Sequence, residues 1–435
     1  MLEILSNRFK SEKIPPWFHN ITKVYFGDIF SKVFTVGTLF LLIRGLSVGD
    51  YALFTVFYTV SVLTPSLIGG GINRAMVRFS AEQLSLTGEK PLELYTIGFL
   101  FQIVLYAVLC VVIVLANGDM LNTLLFGKKI FGVALNYGLI AGFGYLITQS
   151  GRSIYQSEER FGMYIKTLVI RQFSIFFTIL GLFFLQLLDF QNAAKSIMVV
   201  ELIIGVVVCR HIFRHFNIKM ILLILRDRID IVKDFLSASK WLIAYTVALV
   251  VFDRLNVFML SHLSTEAELA NFGVASRYFG LALLLLGSVS AVLLPLFSRV
   301  ERQDFNHQRL FAVKRLKNTY WLIVPMTILF FLLKPFFIWV NGEQYCGAFY
   351  ILLVLLPCIW IGLMFSPLIN IIIARKKLKF LFLMSAVSLV TSFIGNYYLI
   401  PIWGGIAAAM VLLFSHALLN ISCGLVVVFF EKKVE

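Results

Sequence analysis

The chain has 435 residues, of which 60% are hydrophobic and 14% charged, with a formal net charge of +15 at pH 7. A soluble domain carries roughly a quarter of its residues as charges, and no single aqueous core could bury this much apolar surface. These figures exclude a soluble enzyme and point to an all-α, polytopic membrane protein, so the basic excess must be explained by topology before nucleic acid is considered.

Residues 1–27 are mixed in character, with Pro15, Pro16 and several charges. No small-residue cleavage site follows a short apolar core, so the first apolar segment is expected to be both address and anchor. A bilayer core of ~30 Å needs about 20 apolar residues per helix. Measured with that ruler, the chain offers twelve segments, at about 28–48, 52–73, 93–117, 131–150, 161–185, 194–213, 238–261, 272–297, 318–340, 346–373, 378–400 and 403–430. The connectors carry turn and charge signals: SVGD at 47–50, TGEKP at 87–91, GKK at 127–129, NGEQ at 341–344 and RKKLK at 375–379. Cys110, Cys209, Cys346, Cys358 and Cys423 are scattered without metal-ligand spacing and read as packing thiols. His211 and His215 stand four apart with no third ligand nearby, so no metal is expected.

Lysine and arginine set the orientation. With the N-terminus inside, cytoplasmic connectors and tails receive 28 of the 38 basic residues. The outer connectors receive five: Arg44, Lys128, Lys129, Lys195 and Lys334. Both termini are therefore expected in the cytoplasm, and the positive balance needs no nucleic acid. Residues 216–239 are amphipathic and are expected along the inner surface, linking two halves.

Internal spacings support the division. Tyr51 to Arg78 and Phe272 to Arg299 are each 27 residues, and Gly127 to Arg160 and Gly342 to Arg375 are each 33. The expected organisation is an N-terminal segment (1–27), a six-helix bundle (28–213), a linker (214–237), a second six-helix bundle (238–430) and a short tail (431–435). Because six is even, the bundles would be parallel repeats about an axis along the membrane normal, with the substrate site between them.

The stretch GDYALFTVFYTVSVLTPSLIGGGINRAMVRFSAE resembles the second helix of polysaccharide-export flippases in the multidrug/oligosaccharidyl-lipid/polysaccharide superfamily. NFGVASRYFGLALLLLGSVSAVLLPLFSRV is similar to the eighth helix of that family, including a late Pro295 and Ser298. NGEQYCGAFYILLVLLPCIWIG with NIIIARKK resembles its tenth helix, and NYYLIPIWGGIAAAM the turn between the eleventh and twelfth. The resemblance implies two six-helix bundles around a cleft lined by helices 1, 2, 7 and 8. It further implies a multi-pass protein of the bacterial cytoplasmic membrane that turns a polyprenyl (undecaprenyl) diphosphate-linked oligosaccharide to the outer leaflet, for O-antigen, capsule or exopolysaccharide. Membrane lipids, a polysaccharide polymerase and a chain-length regulator would be its partners. Lipid II flippases of the superfamily usually have fourteen helices, which favours O-antigen, capsule or similar repeat units here and keeps lipid II as an alternative substrate.

Five basic residues remain at membrane depth: Lys32, Lys166, Arg171, Arg254 and Arg277. The acids there are fewer: Asp28, Glu201 and Asp253. A charge at a helix centre costs at least ~2.5–3.5 kcal/mol, so each calls for a partner or a function. Guanidinium forks and ammonium groups suit phosphate oxygens. Arg254 either contacts substrate or pairs between helices, and Asp253 next to it, ~100° around the helix, must look elsewhere. Arg277 fits either the outer mouth of the cleft or the outer interface. Lys32 falls within one residue of Arg254's counterpart in the repeat; Lys166 and Arg171 share helix 5, five apart. Gly70, Asn73 and Arg74 form a candidate hinge and inner gate, with close packing of small residues as the alternative.

Two other readings remain. A cation-coupled multidrug exporter would want acids in its cleft, whereas bases outnumber acids here. A membrane polymerase or ligase would need an external catalytic loop, and every external connector is about a dozen residues or fewer. No GxxxxGK[ST] nucleotide loop occurs, so no cofactor and no ATP hydrolysis are expected.

Overall fold

A computed structural model describes residues 16–87, 91–115, 126–213, 229–281, 328, 331–332, 334–374 and 378–425. The described part is helical. The elements are α1 (Pro16–Gly45), α2 (Val48–Thr87), α3 (Leu92–Leu115), α4 (Gly132–Ser157), α5 (Phe161–Phe184), α6 (Phe190–Phe213) and α7 (Ile229–Leu263). A helix over residues 266–281 follows as α8, then α9 (Lys334–Asn341) and α10 (Cys346–Ala374). Leu378–Leu425 runs 48 residues and breaks at Gly404, whose φ of 55° and ψ of −131° are non-helical, giving α11 before the break and α12 after it.

Among the described residues nine helical runs are long and apolar enough to cross a membrane, the last of them the broken Leu378–Leu425 run. The expected eighth and ninth spans, with Pro295 and Ser298, lie mostly outside the described residues. Several helices exceed the expected spans: α1 starts at Pro16 rather than near 28, and α2 continues to Thr87 rather than ending near 73. Residues 229–237, expected in a separate surface segment, are the first turns of α7; residues 214–228 lie outside the described set.

The two glycines used as spacing markers share a backbone device. Gly127 has φ 68° and Gly342 φ 94°, a region open to glycine without a Cβ penalty. Each leads into a three-residue 3₁₀ turn, Lys129–Phe131 and Glu343–Tyr345, and then into a long helix, α4 or α10. Phe131 and Tyr345, which close these turns, are both buried. Bundle packing recurs as well. Helix α1 lies on α5 through Gly37 and Phe176, and α7 lies on α11 through the buried Asn256–Asn396 hydrogen bond of 2.7 Å.

A large apolar core joins α1, α2, α4 and α6 to α7, α8, α10 and α12. On the side of the α1–α2 and α9–α10 loops, Arg44 Nε donates to the Val340 carbonyl at 2.6 Å, and Tyr51 packs edge-on against Tyr345 at 5.5 Å. Lys128 reaches Glu266 at 3.4 Å nearby. On the side of the α2–α3 loop, α2 presses against α7, and a Cβ on Gly71 would sit 2.6 Å from the Ile243 Cα. The halves thus touch near both ends and leave a space between.

Candidate functional site

That space is a cavity of about 310 Å³ where α1, α2, α5, α6, α7 and α8 converge. Its wall holds Arg171, Arg254 and Arg277, one acid, Glu201, and the hydroxyls of Thr35, Thr38, Thr55, Tyr58, Thr59, Ser61 and Ser276. Apolar residues at helical spacing face lipid or core and leave this polar stripe turned inward.

The three arginines differ in what holds them. Arg171 on α5 is locked to Glu201 on α6, its Nε lying 2.8 and 3.0 Å from the two carboxylate oxygens, with Nη2 on the same carboxylate. Its guanidinium also covers the Tyr145 ring at 4.3 Å. A buried pair of this kind is tolerated in an apolar setting because the fork satisfies both oxygens.

Arg277 on α8 lines the cavity. It crosses to α2 and lies over the rings of Tyr58 (4.1 Å), Phe54 (4.8 Å) and Tyr51 (5.8 Å). Ring faces attract the cation but accept none of its in-plane N–H bonds, and its buried Nη2 has no hydrogen-bond partner. Arg254 on α7 lines the cavity and pairs with no carboxylate among the described residues. Among the described residues, three arginines less one glutamate leave the wall with a formal charge of +2.

The other sequence candidates stand apart. Asp253 does not line the cavity; its side chain is 58% exposed and its Oδ1 lies 4.0 Å from His416 Nε2 on α12. Lys32 pairs with Asp28 one turn earlier at 2.7 Å. Lys166 is exposed on α5 and away from the cavity wall. Of the gate candidates, Gly70 meets α7, where a Cβ would come 3.1 Å from Thr246 Cγ2. Asn73 is buried and accepts from Gln102 Nε2 at 3.0 Å, while Arg74 is exposed.

Sequence reasoning missed three features of the site. Glu201 was visible as a lone acid in an apolar helix, but its partner was not. The Tyr51–Phe54–Tyr58 face had a spacing signal, i, i+3, i+7, that marks one side of a helix. The Lys32–Asp28 pair follows from i, i+4 spacing alone.

The backbone resembles those of several solved proteins. One is the inward-facing conformation of a multidrug resistance MATE family transporter of the MOP superfamily: TM-score 0.72, 12% identity, covering 93% of this chain and 96% of that one. Another is the lipid II flippase MurJ in an inward closed conformation: TM-score 0.73, 15% identity, covering 96% and 88%. A third is a MOP superfamily transporter from Pyrococcus furiosus: TM-score 0.56, 12% identity, covering 95% of each chain. At such identities the likeness establishes the fold, two helical bundles facing one another. No curated protein sequence matches this one. A model of polysaccharide biosynthesis proteins matches residues 18–301, more than half of the 435. On the strength of that match, the chain belongs to the polysaccharide biosynthesis protein family.

Proposed function

We propose that the protein is a flippase that carries a polyprenyl diphosphate-linked oligosaccharide across the membrane by alternating access of its two bundles. The observation that carries this reading is the pair of cavity arginines, Arg254 and Arg277, that no carboxylate neutralises among the described residues. A diphosphate diester bears two negative charges and oxygen acceptors only. The wall's formal +2 complements it in sign and number. In a poorly solvated cavity such complementarity is worth far more than on a wet surface. A cationic drug would meet a wall of its own sign and be repelled.

Membership of a polysaccharide biosynthesis family supports the glycan part of the reading, and the fold shared with a lipid II flippase supports a lipid carrier. The undecaprenyl form of the carrier, a bacterial inner-membrane location with cytoplasmic termini, and association with a polymerase and a chain-length regulator belong to the same proposal. Lys32 and Asp253 enter it only as secondary contacts, since neither lines the cavity.

The test is translocation in proteoliposomes, following a polyprenyl diphosphate saccharide by its accessibility to an external lectin. Arg254→Ala is expected to abolish transfer and Arg254→Lys to keep part of it. Full transfer by the alanine variant, or export of cationic dyes by the native protein, would overturn the reading.

A further inference from the structure

The cavity has two chemically different walls. On α1 and α2 four of the six cavity hydroxyls, all but Tyr58 and Thr59, are already used as donors within their own helices. Thr35 donates to the Ser31 carbonyl (3.1 Å), Thr38 to Phe34 (2.8 Å), Thr55 to Tyr51 (2.8 Å) and Ser61 to Tyr58 (2.9 Å). A hydroxyl has one proton and two lone pairs, so each has only lone pairs left to offer the cavity. Pro65 inside α2 lacks the N–H that the Ser61 carbonyl would have accepted, which adds another free acceptor. Glu201 on α6, an acceptor-only group, extends this wall, and its charge is matched by Arg171 from the same bundle. Helices α7 and α8 contribute Arg254 and Arg277, donors with no acceptor capacity, and Arg277 reaches across to the Tyr58 ring on α2. Among the described residues Ser276 is the one hydroxyl these two helices add, and it too donates to its own helix, to the Gly273 carbonyl at 3.0 Å.

Acceptors repel an ionised phosphate, which has no proton to give, and the guanidinium groups attract it. Sugar hydroxyls carry protons and match the lone-pair wall. We propose that the C-terminal bundle seats the diphosphate through Arg254 and Arg277, while the α1–α2 wall reads the hydroxyls of the first sugar. Thr35, Thr38 and Ser61 are thereby the glycan-recognising residues. This inference rests on the flippase reading and adds to it a division of labour between bundles.

The experiment measures affinity of the purified full chain for three probes: polyprenyl methyl diphosphate, a bare diester of the same charge, and polyprenyl diphosphate carrying a single N-acetylglucosamine or galactose. The native protein is expected to bind at least one sugar-bearing probe about two- to tenfold more tightly than the bare one, the range for one or two neutral hydrogen bonds. The triple variant Thr35→Val, Thr38→Val, Ser61→Ala is expected to bring that ratio to about one. Thr38→Val alone, the smaller change, should lower it in the same direction. Arg254→Gln is expected to weaken all probes about tenfold or more while keeping the ratio, since its bonds are charge-assisted. A native ratio of one, a triple variant that keeps the ratio, or an Arg254→Gln variant that loses it overturns the division of labour and leaves the flippase reading standing. Failure of every diphosphate probe to bind overturns both.

Discussion

Arg171 and Glu201 face each other across α5 and α6, the single Nε–H shared between the two carboxylate oxygens at 2.8 and 3.0 Å, deep in the first bundle. Glu201 is 3% exposed, so water cannot replace either partner. Removing one side of a buried pair leaves an uncompensated charge and costs about 3–5 kcal/mol, whereas replacing both with apolar residues is often neutral. Glu201→Ala is therefore expected to lower the thermal unfolding midpoint sharply in detergent. The double variant Arg171→Met, Glu201→Leu should recover most of the loss. A single variant as stable as the native protein would show that the pair holds nothing together.

Arg277 carries a second prediction, because its charge and its plane do different work. The flat guanidinium lies over Tyr58 at 4.1 Å while its edge remains free to donate. Lysine keeps the charge and loses the plane. Arg277→Lys is expected to retain a small fraction of saccharide transfer, and Tyr58→Leu to reduce transfer severalfold, as a cation–π contact of ~0.5–2 kcal/mol is lost. Equal transfer by Arg277→Lys and the native protein would reduce Arg277 to a point charge.

Much of this architecture is legible in the sequence, for a physical reason. A membrane span must satisfy its own backbone, so helices announce themselves as long apolar runs. The glycines at 127 and 342 mark the same turn in both halves because only a residue without Cβ enters that conformation freely. Which charged residues meet is a different matter. The pairing of Arg171 with Glu201 depends on the relative rotation and height of α5 and α6, which apolar periodicity leaves open. Arg277 reaching α2 is a contact between bundles, invisible to any pattern within α8. The apolar span does not show how far a helix runs on with polar residues, as α2 does beyond Asn73.

The mouth on the α1–α2 loop side gives a third prediction. Arg44 donates to the carbonyls of Trp339 and Val340, the unsatisfied acceptors at the C-terminal end of α9. A cation there also meets the negative end of the helix dipole, worth ~0.3–1 kcal/mol near a surface. Arg44→Ala is expected to lengthen the distance between spin labels at Lys195→Cys on α6 and Gln344→Cys beyond α9. Unchanged distances would mean that Tyr51 and Tyr345, packed edge-on 5.5 Å apart, close this side alone.

The opposite side rests on a missing side chain. An alanine Cβ at Gly71 would lie 2.6 Å from the Ile243 Cα and 3.0 Å from its Cγ1, so backbone rather than a flexible side-chain tip would have to move. Overpacking of this sort costs ~1–3 kcal/mol unless the elements separate. Separation is what alternating access requires here: α2 belongs to one bundle and α7 to the other. Gly71→Ala should therefore disfavour the arrangement in which the two helices touch, lengthening the distance between labels at Gln156→Cys and Leu383→Cys and slowing transfer severalfold. Gly162, on α5, has open space where a Cβ would go and supplies the matched comparison. Gly162→Ala should leave both distance and transfer as they are. If the two alanine variants behave alike, the α2–α7 contact is not a gate, and the hinge must be sought elsewhere along the seam.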